Sequence, residues 1–166
     1  LAQDLLLRQI TALKPDLVFY ELTTLTVDDD LSLAAKIKEA CGARIALAGP
    51  HAVYFASQIM QDHPAVDFII RGEYEYILAD LAQKLASGSD GFWGVVHRVN
   101  GSVTDSAWPQ NQAIPDELPV PFTDIFPANH QPDLTVYWDG FCQRRPALQV
   151  QSSRGCRYAC SFCLEA

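Results

Sequence analysis

The segment Leu17-Val-Phe-Tyr-Glu-Leu22 decides the fold, because it is a near-continuous apolar run. Such a run is typical of a strand that is buried on both faces of a parallel sheet. Before it, residues 2–13 carry a helical apolar stripe, and Lys14-Pro15 ends that helix. The stripe consists of Ala2, Leu6, Ile10 and Leu13.

Helix and strand patterns alternate after this segment, with short loops between them. Asp28, Asp29 or Asp30 is expected to cap a helix that stops at Gly42. Its apolar stripe consists of Leu33, Ala34, Ile37, Ala40 and Cys41. The later elements are a strand over 44–48, a helix over 52–60, a strand over 66–70, a helix with Ile77, Leu78, Leu81 and Leu85 ending near Gly88, and a strand over 91–99.

Asn100-Gly101 then predicts a type I′ hairpin turn before Val103. Together these patterns predict an α/β fold, in which a doubly wound and mostly parallel sheet carries helices on both faces.

Composition limits the classes of function. The 166 residues suffice for one ordinary domain, and 49% apolar with 19% charged residues is typical of globular proteins. A net charge of −8 argues against a nucleic-acid partner. No apolar run approaches the ~20 residues that span a bilayer. Because the sequence starts without methionine and ends inside a cysteine-rich loop, we expect it to be an internal piece of a longer protein.

The chain changes character after residue 105. Six of the ten prolines fall between Pro109 and Pro132, so residues 106–146 are expected to form a linker. Ala147 to Gln151 resumes an apolar-rich strand. The predicted domains are therefore 1–105, an α/β domain, 106–146, the linker, and 147–166, the start of a second domain.

Three cysteines follow that strand in a C-x3-C-x2-C pattern, at Cys156, Cys160 and Cys163. Three thiolates on one loop can hold three irons of a [4Fe–4S] cluster and leave the fourth iron without a protein ligand. A structural zinc site needs a fourth ligand, and neither Cys142 nor His130 lies at a zinc-ribbon spacing. Disulfides are the third alternative, but five cysteines is an odd count and no signal peptide precedes them. The pattern favours a cluster in a reducing, cytoplasmic setting.

Three strand-to-helix turns of the α/β domain are candidate ligand-binding segments, because ligands of such sheets bind at the carboxyl ends of the strands. Their members are Thr23, Thr24, Leu25 and Thr26, then Gly49, Pro50 and His51, then Arg71, Gly72 and Glu73. Each turn combines small residues, which allow close backbone approach, with polar donors. The alternatives are ordinary: a polar loop, a histidine at a helix start, and a carboxylate in a first helical turn. No phosphate-binding motif of the G-x-G-x-x-G or P-loop type is present, so a nucleotide is not the leading ligand.

Gln151-Ser-Ser-Arg-Gly-Cys156-Arg-Tyr-Ala-Cys160-Ser-Phe162-Cys163 resembles the cluster loop of radical S-adenosylmethionine enzymes. In that family an aromatic residue precedes the third cysteine, as Phe162 does here. The resemblance implies a [4Fe–4S] cluster whose fourth iron is chelated by S-adenosylmethionine. It also implies that electron transfer generates a 5′-deoxyadenosyl radical at the mouth of a (β/α) barrel.

A second resemblance covers residues 1–105. The segments Lys14-Pro-Asp-Leu-Val18, Ala48-Gly-Pro-His-Ala52 and Val66 to Glu75 are similar to the cobalamin-binding domain that precedes the barrel in many of these enzymes. The resemblance implies that the three candidate turns line a corrin, with Glu75 a further contact. The D-x-H-x-x-G motif of the lower cobalt ligand is absent from this sequence, and the family's strand that would carry it precedes Leu1.

Together the resemblances imply a cobalamin-dependent radical S-adenosylmethionine enzyme acting on a small-molecule substrate. Its reaction would be methyl transfer to carbon or oxidative cyclisation, with a reducing electron donor such as flavodoxin or ferredoxin. The piece lacks nearly all of the barrel and is expected to be inactive alone. A non-enzymatic corrinoid carrier or sensor is the alternative. A signalling receiver domain ranks last. Such a domain needs a phosphorylatable aspartate at a strand end, and the first turn of this chain offers Glu21 and threonines instead.

Overall fold

The computed structural model describes residues 2–106, the single positions Leu118, Gln143 and Tyr158, and residues 160–163. The chain divides into two units, Leu1–Gln112 and Ala113–Ala166. All of the described helices and strands belong to the first unit. They are α1 (Ala2–Leu13), β1 (Leu17–Glu21), α2 (Val27–Cys41), β2 (Arg44–Ala48), α3 (Pro50–Tyr54), α4 (Ala56–Asp62), β3 (Phe68–Ile70), α5 (Tyr74–Ser87), β4 (Val95–Val99) and β5 (Ser102–Asp105).

The predicted linker over 106–146 lies outside the described residues except at positions 106, 118 and 143. The predicted strand over 147–151 lies wholly outside them. Both therefore stay predictions, as do the domain boundaries.

Over the described residues, the sheet has five strands in the order β1-β2-β3-β4-β5. The first three strands are parallel, whereas β4 pairs antiparallel with β3 and β5 pairs antiparallel with β4. The fold is α/β as predicted, but its sheet is mixed, and no switch in strand order occurs among the described strands. The hairpin turn explains the antiparallel pairing of β4 with β5. Asn100 and Gly101 have φ angles of 51° and 83°, the type I′ geometry that returns β5 beside β4.

Two apolar cores lie on the two faces of the sheet. Successive side chains of β2 alternate between them: Ile45 and Leu47 belong to the first core, and Ala46 and Ala48 belong to the second. Helices α2, α3 and α4 pack on the first core, and α5 packs on the second. The prediction of helices on both faces is confirmed. Full burial of each Leu or Ile side chain contributes roughly 1.5–3 kcal/mol.

The edge position of β1 corrects the expectation for Leu17 to Leu22. Residues 17–20 are half-buried, and only Leu22, just after the strand, is completely buried. Among the described strands β1 pairs with β2 alone, so one side of it has no neighbouring strand to cover its side chains. A local apolar run therefore indicated the strand correctly but not its degree of burial.

The buried face of α1 also differs from the prediction. Leu7 and Ile10 pack against the first core, whereas Leu6 and Leu13 are 42% and 79% exposed. The helix bounds are as predicted, and the side chain of Ala2 lies outside the description. Ile10 is thus packed as predicted, whereas Leu7 takes the place that was expected of Leu6, on the side where the helix contacts α2.

Helix α2 ends at Gly42 as predicted, with a left-handed φ of 70°. Its start differs: Thr26 occupies the N-cap position without a side-chain capping bond, and the three aspartates lie inside the first turn. There the positive end of the helix dipole favours them. The residues that α2 buries are Leu31, Ala34 and Ile37, while Leu33 and Cys41 are half-buried and Ala40 is exposed.

The predicted helix over 52–60 is two helices that meet at Phe55. The predicted strand over 66–70 begins at Phe68. Just before it, the Asp67 N–H donates to the Ile45 carbonyl at 2.9 Å, and the Asp67 carboxylate accepts from the Ile45 N–H at 2.8 Å. Likewise β4 starts at Val95 rather than at residue 91. Helix α5 buries Ile77 and Leu81 and half-buries Leu78 and Leu85, and it ends before Gly88 as predicted.

Over the described part of the chain, no helix is long and apolar enough to cross a membrane.

Candidate functional site

The ends of the parallel strands bring the first two predicted turns together. Glu21 of β1 lies opposite Ala48 of β2, and the backbone N–H of Leu22 donates to the Ala48 carbonyl at 2.9 Å. The segments that follow, 23–26 and 49–51, therefore lie side by side at the carboxyl edge of the sheet. The third segment, 71–73, follows β3, the next strand of the same parallel group.

Hydroxyl groups tie the first turn to the start of α2. The Thr23 and Thr26 hydroxyl oxygens are 2.9 Å apart, and the Thr26 hydroxyl donates to Oδ2 of Asp30 at 2.6 Å. The backbone N–H of Thr26 also reaches the Thr23 carbonyl at 3.3 Å. Two of the three predicted threonines are thus engaged in holding the turn. Leu25, at its tip, is 97% exposed.

Tyr20 of β1 is hydrogen-bonded to the first part of α2, which follows this turn. Its hydroxyl donates to the backbone carbonyl of Asp30 at 2.7 Å. Burial raises the pKa of the Tyr20 phenol well above its ordinary value, and the nearby Asp30 charge adds to this effect. The phenol therefore stays protonated and keeps donating its hydrogen bond.

Thr24 connects the first turn to the second. Its hydroxyl lies 3.0 Å from Nδ1 of His51, the second residue of α3. The His51 ring also packs on Phe55, with ring centroids 4.7 Å apart, and Tyr54 packs edge-on against Phe55. The two exposed aromatic residues were not expected from the sequence. They lie where α3 meets α4, and no proline or glycine marks this junction in the sequence.

Gly49 is required by the backbone of the sheet edge itself. Its φ is 95°, and a Cβ atom at this position would lie 2.9 Å from the backbone oxygen of Leu22. The glycine therefore permits the close approach of β1 to the start of α3. Pro50 follows as the first residue of that helix, where its missing N–H and fixed φ are suited to the first turn.

The third turn is anchored to the hairpin. Arg71 donates from Nη2 to Oδ2 of Asp105 at 2.7 Å, and its side chain is 11% exposed. The Arg71 backbone N–H donates to the Gly94 carbonyl at 2.8 Å. Gly72 adopts a left-handed φ of 71°, and Glu73 occupies the N-cap position of α5.

Sequence reasoning missed the contribution of the hairpin to this edge. Asp105 ends β5 beside the start of β4, and the Ser106 hydroxyl accepts from the Val95 N–H at 2.8 Å. The Asn100-Gly101 turn was the available signal, since it returns β5 to the edge from which β4 starts.

A cleft of about 300 Å³ opens between α2 and the pair α3–α4. Its volume is at the lower end of the range for small-molecule pockets. The residues that line it are Val27, Asp28, Leu31, His51, Phe55, Gln58, Ile59, Asp62 and His63.

The described part of the cysteine loop is a turn. The backbone N–H of Cys163 donates to the Cys160 carbonyl at 3.0 Å, with Ser161 and Phe162 between them. Both thiols are exposed, and the Phe162 ring is 88% exposed. Cys156 lies outside the described residues, and within the described ones no group of three metal-binding side chains is assembled. Two thiolates on one exposed turn fit an iron–sulfur cluster, which takes cysteine ligands from short, accessible loops.

Comparison with family models gives no match. Among curated proteins, the chain is 29% identical over 98% of its length to an uncharacterized methyltransferase of Pyrococcus horikoshii, and it covers 35% of that protein. It is 27% identical, again over 98% of its length, to the anaerobic magnesium-protoporphyrin IX monomethyl ester cyclase of Rubrivivax gelatinosus, of which it covers 29%. The chain thus spans about a third of the length of the curated enzymes that it resembles.

Solved structures support the fold. The radical S-adenosylmethionine methyltransferase TsrM of Kitasatospora setae, with tryptophan substrate and a S-adenosylmethionine analogue bound, matches 61% of the chain with a TM-score of 0.55 and 16% identity. The same enzyme with cobalamin and a [4Fe–4S] cluster bound matches 64% of the chain with a TM-score of 0.55. In each case the match covers 21% of the TsrM chain. The chain therefore has an α/β domain of the kind found in TsrM, and its curated relatives are methyltransferase and cyclase enzymes.

Proposed function

We propose that this chain is part of a cobalamin-dependent radical S-adenosylmethionine enzyme. In the proposal, Cys156, Cys160 and Cys163 hold a [4Fe–4S] cluster, and the carboxyl edge of the α/β sheet holds cobalamin. The reaction is methyl transfer to carbon or oxidative cyclisation of a small-molecule substrate, since the curated relatives include a methyltransferase and cyclases.

The turn from Cys160 to Cys163 is the observation that carries the proposal. It presents two exposed thiols on a single hydrogen-bonded turn, in a C-x3-C-x2-C pattern. A cluster held by these three cysteines would keep one iron without a protein ligand and would supply the site and the electron for S-adenosylmethionine. The protein's own part is to keep the loop accessible, with Phe162 exposed beside the third thiol as a contact for the cofactor.

The carboxyl edge supports the cobalamin part of the proposal. The first and second turns are held together by the contact between Thr24 and His51, and Arg71 is held by Asp105. A preorganised edge of this kind binds a rigid macrocycle with little ordering cost. Thr23 and Thr26 shape the turn, and we assign direct corrin contacts to Leu25, Pro50, His51 and the third turn.

The proposal requires a reductant and a reducing compartment, because a low-potential cluster must be loaded with one electron. We assign this role to flavodoxin or ferredoxin, and we place the protein in the cytoplasm.

Anaerobic reconstitution of the full-length protein with iron and sulfide tests the cluster. We expect the broad visible absorbance of a [4Fe–4S] cluster, which Cys160→Ala abolishes. Cys41→Ala is the matched control, since the Cys41 thiol bonds to the Ile37 carbonyl within α2 and leaves the cluster unchanged. Titration with cobalamin forms the second arm. Cobalamin binding without any cluster would instead support a corrinoid carrier, and the absence of both would overturn the proposal.

A further inference from the structure

Cys160 and Cys163 form the two ends of one four-residue turn. The Cys163 N–H donates to the Cys160 carbonyl at 3.0 Å, and Ser161 and Phe162 lie between them. The Cα atoms at the ends of such a turn lie within about 7 Å of each other. Because disulfides join Cα atoms that are about 4.4–6.8 Å apart, the backbone needs little movement to bring these two sulfurs together.

Both thiols are also accessible to small molecules in solution. All four residues of the turn are exposed. Cys41 differs, since it is half-buried and its thiol bonds to the Ile37 carbonyl at 3.3 Å within α2. Thiol–disulfide exchange needs access to the attacking sulfur. Among the described cysteines, Cys160 and Cys163 therefore combine a short separation with access to an oxidant.

The short spacing favours a bond within the turn over bonds to other molecules. Closing a loop of so few residues costs little chain entropy, and the turn is already hydrogen-bonded. The second thiol also reacts at the high effective concentration that a short connection gives. Disulfides of this kind in reducing compartments are transient and act in redox sensing.

We propose that Cys160 and Cys163 close into a reversible disulfide when the loop holds no cluster, and that this disulfide blocks cluster assembly. The closure depends on the geometry of the turn alone. Its consequence rests on the proposed function, because a blocked site matters only if the cysteines bind a cluster. The thiolate is the form of cysteine that binds metal, so two ligands are lost together.

The oxidant is a small-molecule disulfide such as glutathione disulfide. The thiolate of one cysteine attacks a sulfur of glutathione disulfide, and one glutathione leaves as a thiol. The second cysteine then attacks the mixed disulfide and displaces the other glutathione. The two cysteine thiols lose two electrons and two protons, and the glutathione disulfide gains them as two thiols. An excess of dithiothreitol reverses the reaction.

Peptide mass spectrometry of the full-length protein tests the closure. Cluster-free protein is equilibrated anaerobically with glutathione disulfide and glutathione, quenched with acid, alkylated and digested with trypsin. Cleavage after Arg154 and Arg157 places Cys156 on one peptide and Cys160 with Cys163 on the next. We expect the second peptide to lack two hydrogens and to carry no alkyl group. A disulfide to Cys156 would instead link the two peptides and would overturn the proposal.

Two variants separate the disulfide from the cluster. Cys156→Ser removes a proposed cluster ligand but leaves the turn intact, so we expect the disulfide to form as in the wild type. In Cys163→Ser the ring cannot close, and we expect Cys160 to stay as a mixed disulfide with glutathione. Equal amounts of mixed disulfide on Cys160 in Cys163→Ser and wild type would show that the turn does not favour closure.

Cluster loading tests the consequence. Oxidised and reduced wild-type proteins are mixed anaerobically with iron and sulfide, without added thiol. We expect visible cluster absorbance only in the reduced protein, and we expect dithiothreitol to restore it in the oxidised one. Equal loading of both would refute the block and leave the proposed function standing. A reduced protein that takes up no cluster would remove the proposed function and with it the block, whereas the peptide analysis would still decide the closure.

Discussion

The Thr24 hydroxyl lies 3.0 Å from Nδ1 of His51, although the two residues are 27 positions apart in the chain. This contact joins the turn after β1 to the helix start after β2. The two segments therefore form one continuous surface, whereas the sequence predicted only that they lie at the same edge of the sheet.

Under the proposed function, Thr24→Val is expected to weaken cobalamin binding by the full-length protein about three- to tenfold. The substitution keeps the shape of the side chain but removes a hydrogen bond, which contributes about 1 kcal/mol. Isothermal titration with cobalamin measures the change. Thr104→Val, on the exposed strand β5, serves as the control and leaves the affinity unaltered. Equal affinities for Thr24→Val and wild type would show that the contact does not shape the site.

Gly49→Ala is expected to lower the free energy of unfolding by about 3 kcal/mol, because the position combines a strained φ with a backbone contact. The added Cβ would lie 2.9 Å from the Leu22 oxygen, which cannot move without disturbing β1. Gly88→Ala is the matched control: its φ of 67° is also left-handed, but nothing lies within 4 Å of the new Cβ. We expect it to cost about 1 kcal/mol. Similar midpoints of urea unfolding for both variants would contradict the role of the Leu22 contact.

Asp105→Asn is expected to lower the free energy of unfolding by about 1 kcal/mol, because it removes a charged partner of the mostly buried Arg71 side chain. Asp80→Asn removes an i,i+4 pair with Lys84 on α5, where the expected loss is only about 0.3 kcal/mol. Chemical unfolding at low and high salt measures both. An equal loss in the two variants would mean that the hairpin does not anchor the third turn.

Tyr20 makes the stability of the α/β domain fall as the pH becomes strongly alkaline. Its pKa is raised in the folded protein by burial and by Asp30, so the folded state holds the phenolic proton more tightly than the unfolded state does. This contribution is complete below the unfolded pKa of about 10 and is lost as pH rises from there towards the folded pKa. Tyr20→Phe is therefore expected to lose less stability than the wild type above that pH. Thermal unfolding from pH 8 upwards measures the difference, and Tyr54→Phe, with a ring that is 67% exposed, is the control. Parallel pH profiles for wild type and Tyr20→Phe would refute it.

Local signals explain the parts of the fold that were predictable. The left-handed glycine that ends α2 and the Asn100-Gly101 turn act through their own backbone geometry, so the end of α2 and the turn between β4 and β5 follow from the sequence. The apolar stripe of α5 is equally local.

Long-range contacts explain the parts that were not predictable. The half-burial of β1 depends on its place at the edge of the described sheet, and the buried stripe of α1 depends on its contact with α2. The pair Arg71–Asp105 joins residues 34 positions apart, and no pattern near either residue indicates it. The same holds for the aromatic contact at Phe55, which arises from a helix break without a proline or glycine.

In the candidate site, too, one part follows from a local motif and the other from long-range strand pairing. The cysteine pattern is a local motif, so the sequence alone predicts the ligand set, although Cys156 lies outside the described residues. The carboxyl edge required the parallel pairing of β1, β2 and β3 before its turns could be placed together. The assignment of the corrin contacts remains a prediction.

The reduced cluster of the anaerobically purified, full-length protein gives the most direct test of the account. Its electron paramagnetic resonance spectrum is recorded before and after addition of S-adenosylmethionine. We expect a [4Fe–4S] signal whose g values shift when S-adenosylmethionine binds the iron that the three cysteines leave open. A protein that carries zinc, or a cluster whose spectrum does not respond to S-adenosylmethionine, would contradict it.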